Sequence, residues 1–315
     1  MSRRRRTCRH HRFRRNPMTH TTDRPAPAAP AAPASRAAHD PAAAHAAWHA
    51  ARTADLRSPQ GWLTLSSLHW PGSAPARLPG LPGQWWVDGG ALRTWPHAAA
   101  DDAAPGAFTG ADVVDGRAAV QVAEGGSTIL GTFLPAGRPD DDDHRVAVEV
   151  ALRTGRYAIR TRDPRAPGLA GFEGVPLHPY DPAWVLDTPV IWYGEPEPVV
   201  VGAAQPRLVH HLEAVGEVEV VVAGRATRLT LTGTYAAPVL LFGDEGADHA
   251  PWRGLWPVVS GVVPGTSGVV RLDLNRTVNL PYAFTDFGTC PAPPAGNHLP
   301  YEVAAGEKAP RKVLR

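Results

Sequence analysis

The chain has 315 residues, including 34 Pro, 31 Gly and only two Cys, enough for one large or two modest domains. Cys8 and Cys290 stand too far apart in character to frame a disulfide-stapled fold, and two thiols alone cannot hold zinc. Residues 1–24 contain nine Arg and one Asp, so the rest of this +2 chain is mildly acidic at −6; no nucleic acid is expected to bind the folded part.

Residues 1–39 read as a disordered tail. The basic run MSRRRRTCRHHRFRRNP is followed by PAPAAPAAPASRAAHD, an Ala/Pro segment that cannot bury a core. No apolar stretch follows the Arg run as a secretory signal requires, and no later stretch reaches membrane-spanning length, so a cytoplasmic protein without membrane contact is expected. Met18 offers an alternative start to Met1.

A helix is predicted from Asp40, which can cap it, through Pro41 at the first helical position to the stop at Ser58-Pro59. Trp48, Arg52, Asp55 and Leu56 lie near one face of it. His45 and His49 sit four apart, but without a glutamate after the first or a third ligand they read as exposed surface residues.

After Gly61 the pattern turns to β. GQWWV and ALRTW flank Asp88-Gly89-Gly90, and ADVV and RAAVQVA flank Asp115-Gly116. STILGTFL follows Glu124-Gly125-Gly126. The acidic run Asp140–Asp143 lacks the glycine-punctuated spacing of a calcium loop and reads as solvated. RVAVEVALR alternates strictly and meets RYAIRTR across Thr154-Gly155. EVEVVVAGRATRLTLTGTY turns at Ala223-Gly224, and PVLLFGDEG and GVVRLDLN complete the strong strands. Two irregular stretches, Asp163–Trp184 and Gly243–Pro257, read as long ordered connections.

These elements predict a mainly β domain over residues 40–315, an antiparallel sandwich or barrel-like set of sheets with one N-terminal helix and long ordered loops. A division into β units at about 61–139 and 140–315 is also compatible. No repeated βαβ pattern, G-x-G-x-x-G or P-loop is present, and no cofactor is expected. His210-His211, His69 and His178 are scattered without acidic or thiol partners at ligand spacing, so no metal site is expected. Most of the ten tryptophans suit core and stacking positions.

The last quarter, Arg271 to Pro310, is the densest cluster of unusual residue choices. A strand ending at Leu274 gives way to irregular chain in which Pro281, Pro291, Pro293 and Pro294 bar helix and central strand alike. Tyr282, Phe284, Phe287 and Tyr301 argue that it is ordered. Cys290, His298 and Asn297 could make a nucleophile, a base and its orienter, with Arg276 and Lys308 favouring the thiolate; equally, Cys290 is a small buried residue in a stiff loop. Arg160, Asp163, Asn275, Arg276, Asn279, Tyr282, Asn297, Glu307 and Lys308 form a second set. Arginine forks and amide donors suit a carboxylate or phosphate-like group, or they tie irregular backbone into place.

The runs LDLNRTVNLPYAF, FGTCPAPPAGNHLPY and AAGEK resemble the C-terminal signature of a bacterial and archaeal family catalogued as domain of unknown function 1684. Trp48–Leu68 and IRTRDPRAPGLAGFEGVPLHPYDPAW, within Tyr157–Trp184, resemble it too. In Gly243–Pro257 the chain departs from the family's pattern, keeping Asp244 and Arg253 with Trp252 near an aromatic position. The resemblance implies no activity, since none is established for the family. The residues themselves lead to three expectations: a binding protein for a small, anionic molecule at the C-terminal loop; a hydrolase or transferase using Cys290 or a loop carboxylate; or a structural or partner-binding protein. Oligomeric state is not encoded in any motif.

Overall fold

The structure, a computed structural model, describes residues 40–95 and 118–311. The N-terminal tail, with Cys8 and Met18, and the turn at Asp115-Gly116 lie outside the described residues. The fold is mainly β, with antiparallel sheets that include a curled half-barrel and one N-terminal helix. No described helix is long and apolar enough to cross a membrane.

Helix α1 spans Pro41–Leu56, and the Asp40 carboxylate accepts from the Ala42 and Ala43 N–H groups, the capping its sequence calls for. Among the described residues, fifteen strands follow in three sheets. The first contains β1 (Leu65–His69), β5 (Ser127–Phe133), β6 (Val146–Arg153) and β7 (Arg156–Arg162), ordered β1-β7-β6-β5. A small sheet pairs β2 (Gln84–Asp88), β3 (Ala91–Trp95) and β4 (Ala118–Val120). The large sheet runs β13 (Ser267–Asp273), β8 (Val185–Gly202), β9 (Val209–Val222), β10 (Arg225–Thr234), β11 (Ala237–Asp244), β12 (Arg253–Leu255) and β14 (Val278–Asn279). Strand β15 (His298–Leu299) adds to β11 in parallel. Because β5 pairs with β6, and β1 with β7, one sheet draws strands from both sides of the 139/140 boundary.

The hairpin turns follow from local chemistry. Gly89-Gly90, Thr154-Gly155 and Ala223-Gly224 each place two consecutive residues at positive φ, the primed geometry whose twist matches the flanking strands. Strand β8 was hidden in the sequence by Pro189, Pro196 and Pro198. The structure explains why they are tolerated. β13 pairs with residues 185–191 and β9 with residues 190–192 and 197–202, so Pro189 and Pro198 each face one neighbour only, and Pro196 lies in the bulge between.

The four-stranded sheet is buried on both faces. One face packs Val146, Val148, Val150, Tyr157 and Ile159 against Trp85 and Leu92. The other carries Ala147, Glu149, Ala151, Ala158, Arg160 and Arg162, all buried as well. Strict alternation along β6 and β7 suggests a solvated polar face, yet the polar side is covered. A separate core, including Val218, Leu229, Leu240, Phe242, Val270 and Leu272, fills the curl of the large sheet. Helix α1 docks through Leu56 on Leu63, Val175 and Phe284.

His45 and His49 correct the expectation of exposed histidines. His45 is buried, with Nε2 2.7 Å from the Asn275 carbonyl, and His49 Nε2 lies 2.9 Å from the Val175 carbonyl. Both anchor α1 to the body, a role helical spacing alone cannot distinguish from solvent exposure.

Candidate functional site

The C-terminal stretch spends most of its polar groups on itself and on its neighbours. Asn275 does not continue strand β13; it sits in a 3-10 turn, Leu274–Arg276, fully buried. Its Oδ1 accepts from the Asp181 N–H at 3.0 Å, and its Nδ2 donates to the Asp181 carbonyl and to Asp273. Asn297 donates from Nδ2 to the Thr230 and Leu241 carbonyls and accepts from the Thr230 N–H, bridging β10 and β11 like an extra piece of backbone. Asn279 donates to the Lys308 carbonyl at 2.7 Å, while its own N–H donates to Glu307.

Glu307 is the knot of this region. Its Oε1 lies 3.0 Å from Arg52 Nε on α1, and Oε2 accepts the Asn279 N–H at 2.7 Å. Arg52 also donates to the Asn279 carbonyl. The turn before Glu307 requires Gly306: its φ is +77°, and a Cβ there would stand 2.5 Å from the Thr277 carbonyl. Arg253, fully buried, donates to the carbonyls of Val303, Ala305 and Glu307 and pairs with Asp244 at 2.9 Å. Asp244 also binds His249 at 2.8 Å; burial pushes its carboxyl up, but His249, Arg253 and the Gly246 N–H outweigh this and hold it at about 2. Nothing in the sequence marks this pair, because Asp248 and Glu245 both stand closer to His249 along the chain than Asp244 does.

Tyr282 stacks on Trp252 with centroids 4.1 Å apart, accepts its N–H and donates to its carbonyl; burial raises the phenol. Asp163 is held by a two-point fork from Arg138 at 2.8 and 2.7 Å. Lys308 pairs with Asp248 at 3.0 Å. Arg276 does not turn toward Cys290; it lies half-exposed, with Nε 3.3 Å from Asp273. His298 is exposed and meets Glu245 at 2.7 Å, while Asn297 is committed to β10 and β11 rather than to that ring. Cys290 is buried against Leu241 and Leu280, and burial pushes its thiol to about 11 even with Arg160 and Arg153 pulling the other way. Among the described residues no cluster of three or more His, Cys, Asp or Glu could hold a metal ion.

Arg160 stands apart from all of these. It is 1% exposed, and its Nε, Nη1 and Nη2 have no hydrogen-bond partner. Glu149 Oε1 lies 3.2 Å from Nη2, an ion pair without hydrogen-bond geometry. Glu149 gives its other oxygen to Arg162, at 2.7 and 3.0 Å from two nitrogens. The Trp62 ring covers both guanidinium groups, at 5.6 Å from Arg160 and 5.3 Å from Arg162. Burial lowers Arg160 from its ordinary range and Glu149 opposes this; a guanidinium nonetheless stays charged. Burial raises Glu149, but Arg160 and Arg162 outweigh it and hold the carboxylate ionised. Arg153 interacts electrostatically with Glu149, Glu124 and Cys290 while donating to the Gly126 and Leu152 carbonyls. Three arginines therefore gather around one carboxylate, and Arg160 among them lacks hydrogen-bond partners. The alanines beside them on β6 and β7 (Ala147, Ala151 and Ala158) keep this face low.

Residues 170–308 match the family model described as protein of unknown function (DUF1684). The matched range holds the whole signature from the end of β13 to Lys308, whereas Trp48–Leu68 and Arg160 lie before it. A solution NMR structure of an uncharacterized protein of Haloarcula marismortui is similar at 21% identity and a TM-score of 0.37, over 44% of this chain and 78% of that one. No curated protein matches. Over residues 170–308, 139 of its 315 residues, the chain is thus similar to the DUF1684 family of proteins of unknown function.

Proposed function

We propose that the protein binds a small anionic molecule, with Arg160 as the anchor. The observation that carries this reading is the buried guanidinium whose three nitrogens, one of them ion-paired with Glu149, lack hydrogen-bond partners. A charged group taken out of water without compensating hydrogen bonds costs several kcal/mol, on the order of 3–5. An acceptor with two oxygens in a plane, a carboxylate or a phosphate face, matches the arginine fork and removes that cost. Trp62 supplies a flat apolar wall beside it. The C-terminal signature acts in this reading as the frame behind the site, since Asn275, Asn297 and Glu307 are already bonded to the protein. Enzyme chemistry through Cys290 is disfavoured, because burial keeps the thiol protonated. With so few cysteines, we place the protein in a reducing, cytoplasmic setting.

The test compares wild-type protein and Arg160→Met in thermal-shift titrations against small mono- and dicarboxylates and phosphate esters. A ligand of the native state stabilises it by about 2.7 kcal/mol at a hundredfold excess over Kd. Wild type should respond to at least one anion and the variant to none. The free variant should melt at or above the wild-type temperature, since replacing a poorly paired buried charge by an apolar chain is commonly neutral or stabilising. Equal responses from both proteins, or a variant that is grossly destabilised without ligand, would refute the reading.

A further inference from the structure

The opposite face of the four-stranded sheet holds a cleft that is chemically unlike the Arg160 region. Its volume is about 510 Å³, and Ser67, His69, Thr161, Phe133 and Val146 are among its lining residues. That volume is in the range of small-molecule sites.

Its polar edge is built by a strand irregularity. Strand β1 is an edge strand, and its register with β7 shifts between Leu65 and Ser67. A bulge re-aims side chains that a regular strand would send to opposite faces. As a result Ser66 and Ser67, adjacent in sequence, both reach the Thr161 hydroxyl, at 2.8 and 2.6 Å. Two residues beyond Ser67, on the same side of β1, comes His69. Its Nε2 is buried and has no hydrogen-bond partner. The ring bonds to the backbone of Pro79, which has only a carbonyl to offer. The bonded nitrogen therefore carries the proton, and in the neutral ring Nε2 is left as an acceptor. Burial, the larger influence, disfavours the charged ring.

Net charge is absent from this cleft. Asp163 also lines it, but Arg138 takes both carboxylate oxygens and the Arg165 N–H adds a third bond. The edge thus offers an imidazole acceptor and hydroxyl groups, backed by the apolar walls of Phe133 and Val146. Such a site discriminates against anions, which meet an acceptor, and gains nothing from cations, whose carboxylate partner is already neutralised.

We infer that this cleft is a second ligand site, for a small neutral molecule that carries a hydroxyl or amide donor on an apolar body. The donor bonds to His69 Nε2, the Ser67 and Thr161 hydroxyls receive its remaining polar group, and the apolar body lies on Phe133 and Val146. The site is independent of Arg160, which points to the other face of the same strand.

The experiment uses the full chain and three probes of one shape: benzyl alcohol, benzoate and benzylamine. Binding is followed by NMR titration of the histidine ring carbons, with the His69 signal assigned from its loss in His69→Phe, and affinity in every variant is read from saturation transfer to the probe. Benzyl alcohol should shift the His69 signal saturably, and benzoate and benzylamine should not. His69→Phe and Thr161→Val should each weaken benzyl alcohol at least tenfold, while Arg160→Met leaves it unchanged. Two variants are used so that a misfolded one does not decide the matter. The inference is overturned if benzyl alcohol leaves the His69 signal unmoved up to solubility, if a charged probe binds as well, or if neither folded variant weakens it.

Discussion

Glu307→Ala tests whether the C-terminal signature is held by a buried ionic knot. The carboxylate is fully buried and serves two partners, Arg52 Nε at 3.0 Å and the Asn279 N–H at 2.7 Å. Truncation leaves the mostly buried Arg52 without its counter-ion, and breaking a buried pair from one side costs about 3–5 kcal/mol. It also leaves a buried backbone N–H bare, worth about 1–3 kcal/mol. These losses overlap, because the space vacated by the side chain admits water to both donors. Arg52 also keeps its bond to the Asn279 carbonyl. A net loss of about 4 kcal/mol is expected, a large share of the roughly 5–15 kcal/mol that holds a typical domain together.

Urea unfolding followed by tryptophan fluorescence measures this directly, as a fall in the midpoint at constant slope. The same measurement on Arg52→Met and on the double variant gives the coupling. Once Glu307 is gone, removing Arg52 should cost little or restore stability, since no unpaired charge remains. A loss below about 1 kcal/mol for Glu307→Ala, the scale of an exposed ion pair, would refute the reasoning. Additive losses in the double variant would refute it too.

Two further outcomes follow from the buried titratable groups. The Asp244 carboxyl is held at about 2 against an ordinary 3.8, so it contributes about 2 kcal/mol that is fully present above pH 4 and is lost as pH falls through 2. Asp244→Asn should lose that contribution at neutral pH and flatten the acid limb of stability; an unchanged acid limb would contradict the pairing with His249 and Arg253. Cys290, raised to about 11 from 9.0, contributes about 3 kcal/mol below pH 9 that is lost as pH rises through 11. At pH 7.5 a thiol reagent should modify Cys290 far more slowly in native than in urea-unfolded protein, with peptide mapping separating it from Cys8. Equal rates would show an accessible thiol and reopen the nucleophile reading.

Much of the β architecture was legible because it rests on local signals. The turns at Gly89-Gly90, Thr154-Gly155 and Ala223-Gly224 use residues that tolerate positive φ, and the strands between them alternate. The cap at Asp40 was legible for the same reason. Strand β8 was not, because three prolines argue against a strand until its neighbours are known. Which residues pair on each side of Pro189 and Pro198 is a tertiary fact. The parallel addition of β15 to β11 is two residues long and carries no period at all.

The polar residues of the signature were legible as a group but not by role. Asn275, Asn279, Asn297 and Glu307 stand out because irregular chain with buried backbone needs donors and acceptors from somewhere. The same residue types would line a ligand site, and composition does not separate the two. What separates them is whether each polar atom already has a partner. Asn297 spends both Nδ2 hydrogens and its oxygen on β10 and β11, and Glu307 spends both oxygens on Arg52 and Asn279. Arg160 stands among the candidate binding residues already in the sequence, on an alternating strand that gives no sign of how its guanidinium is partnered. Its burial beneath Trp62 makes it a buried charge without hydrogen bonds. A ligand is called for by the one candidate whose guanidinium lacks hydrogen-bond partners, whereas Asn297 and Glu307 are already bonded within the protein.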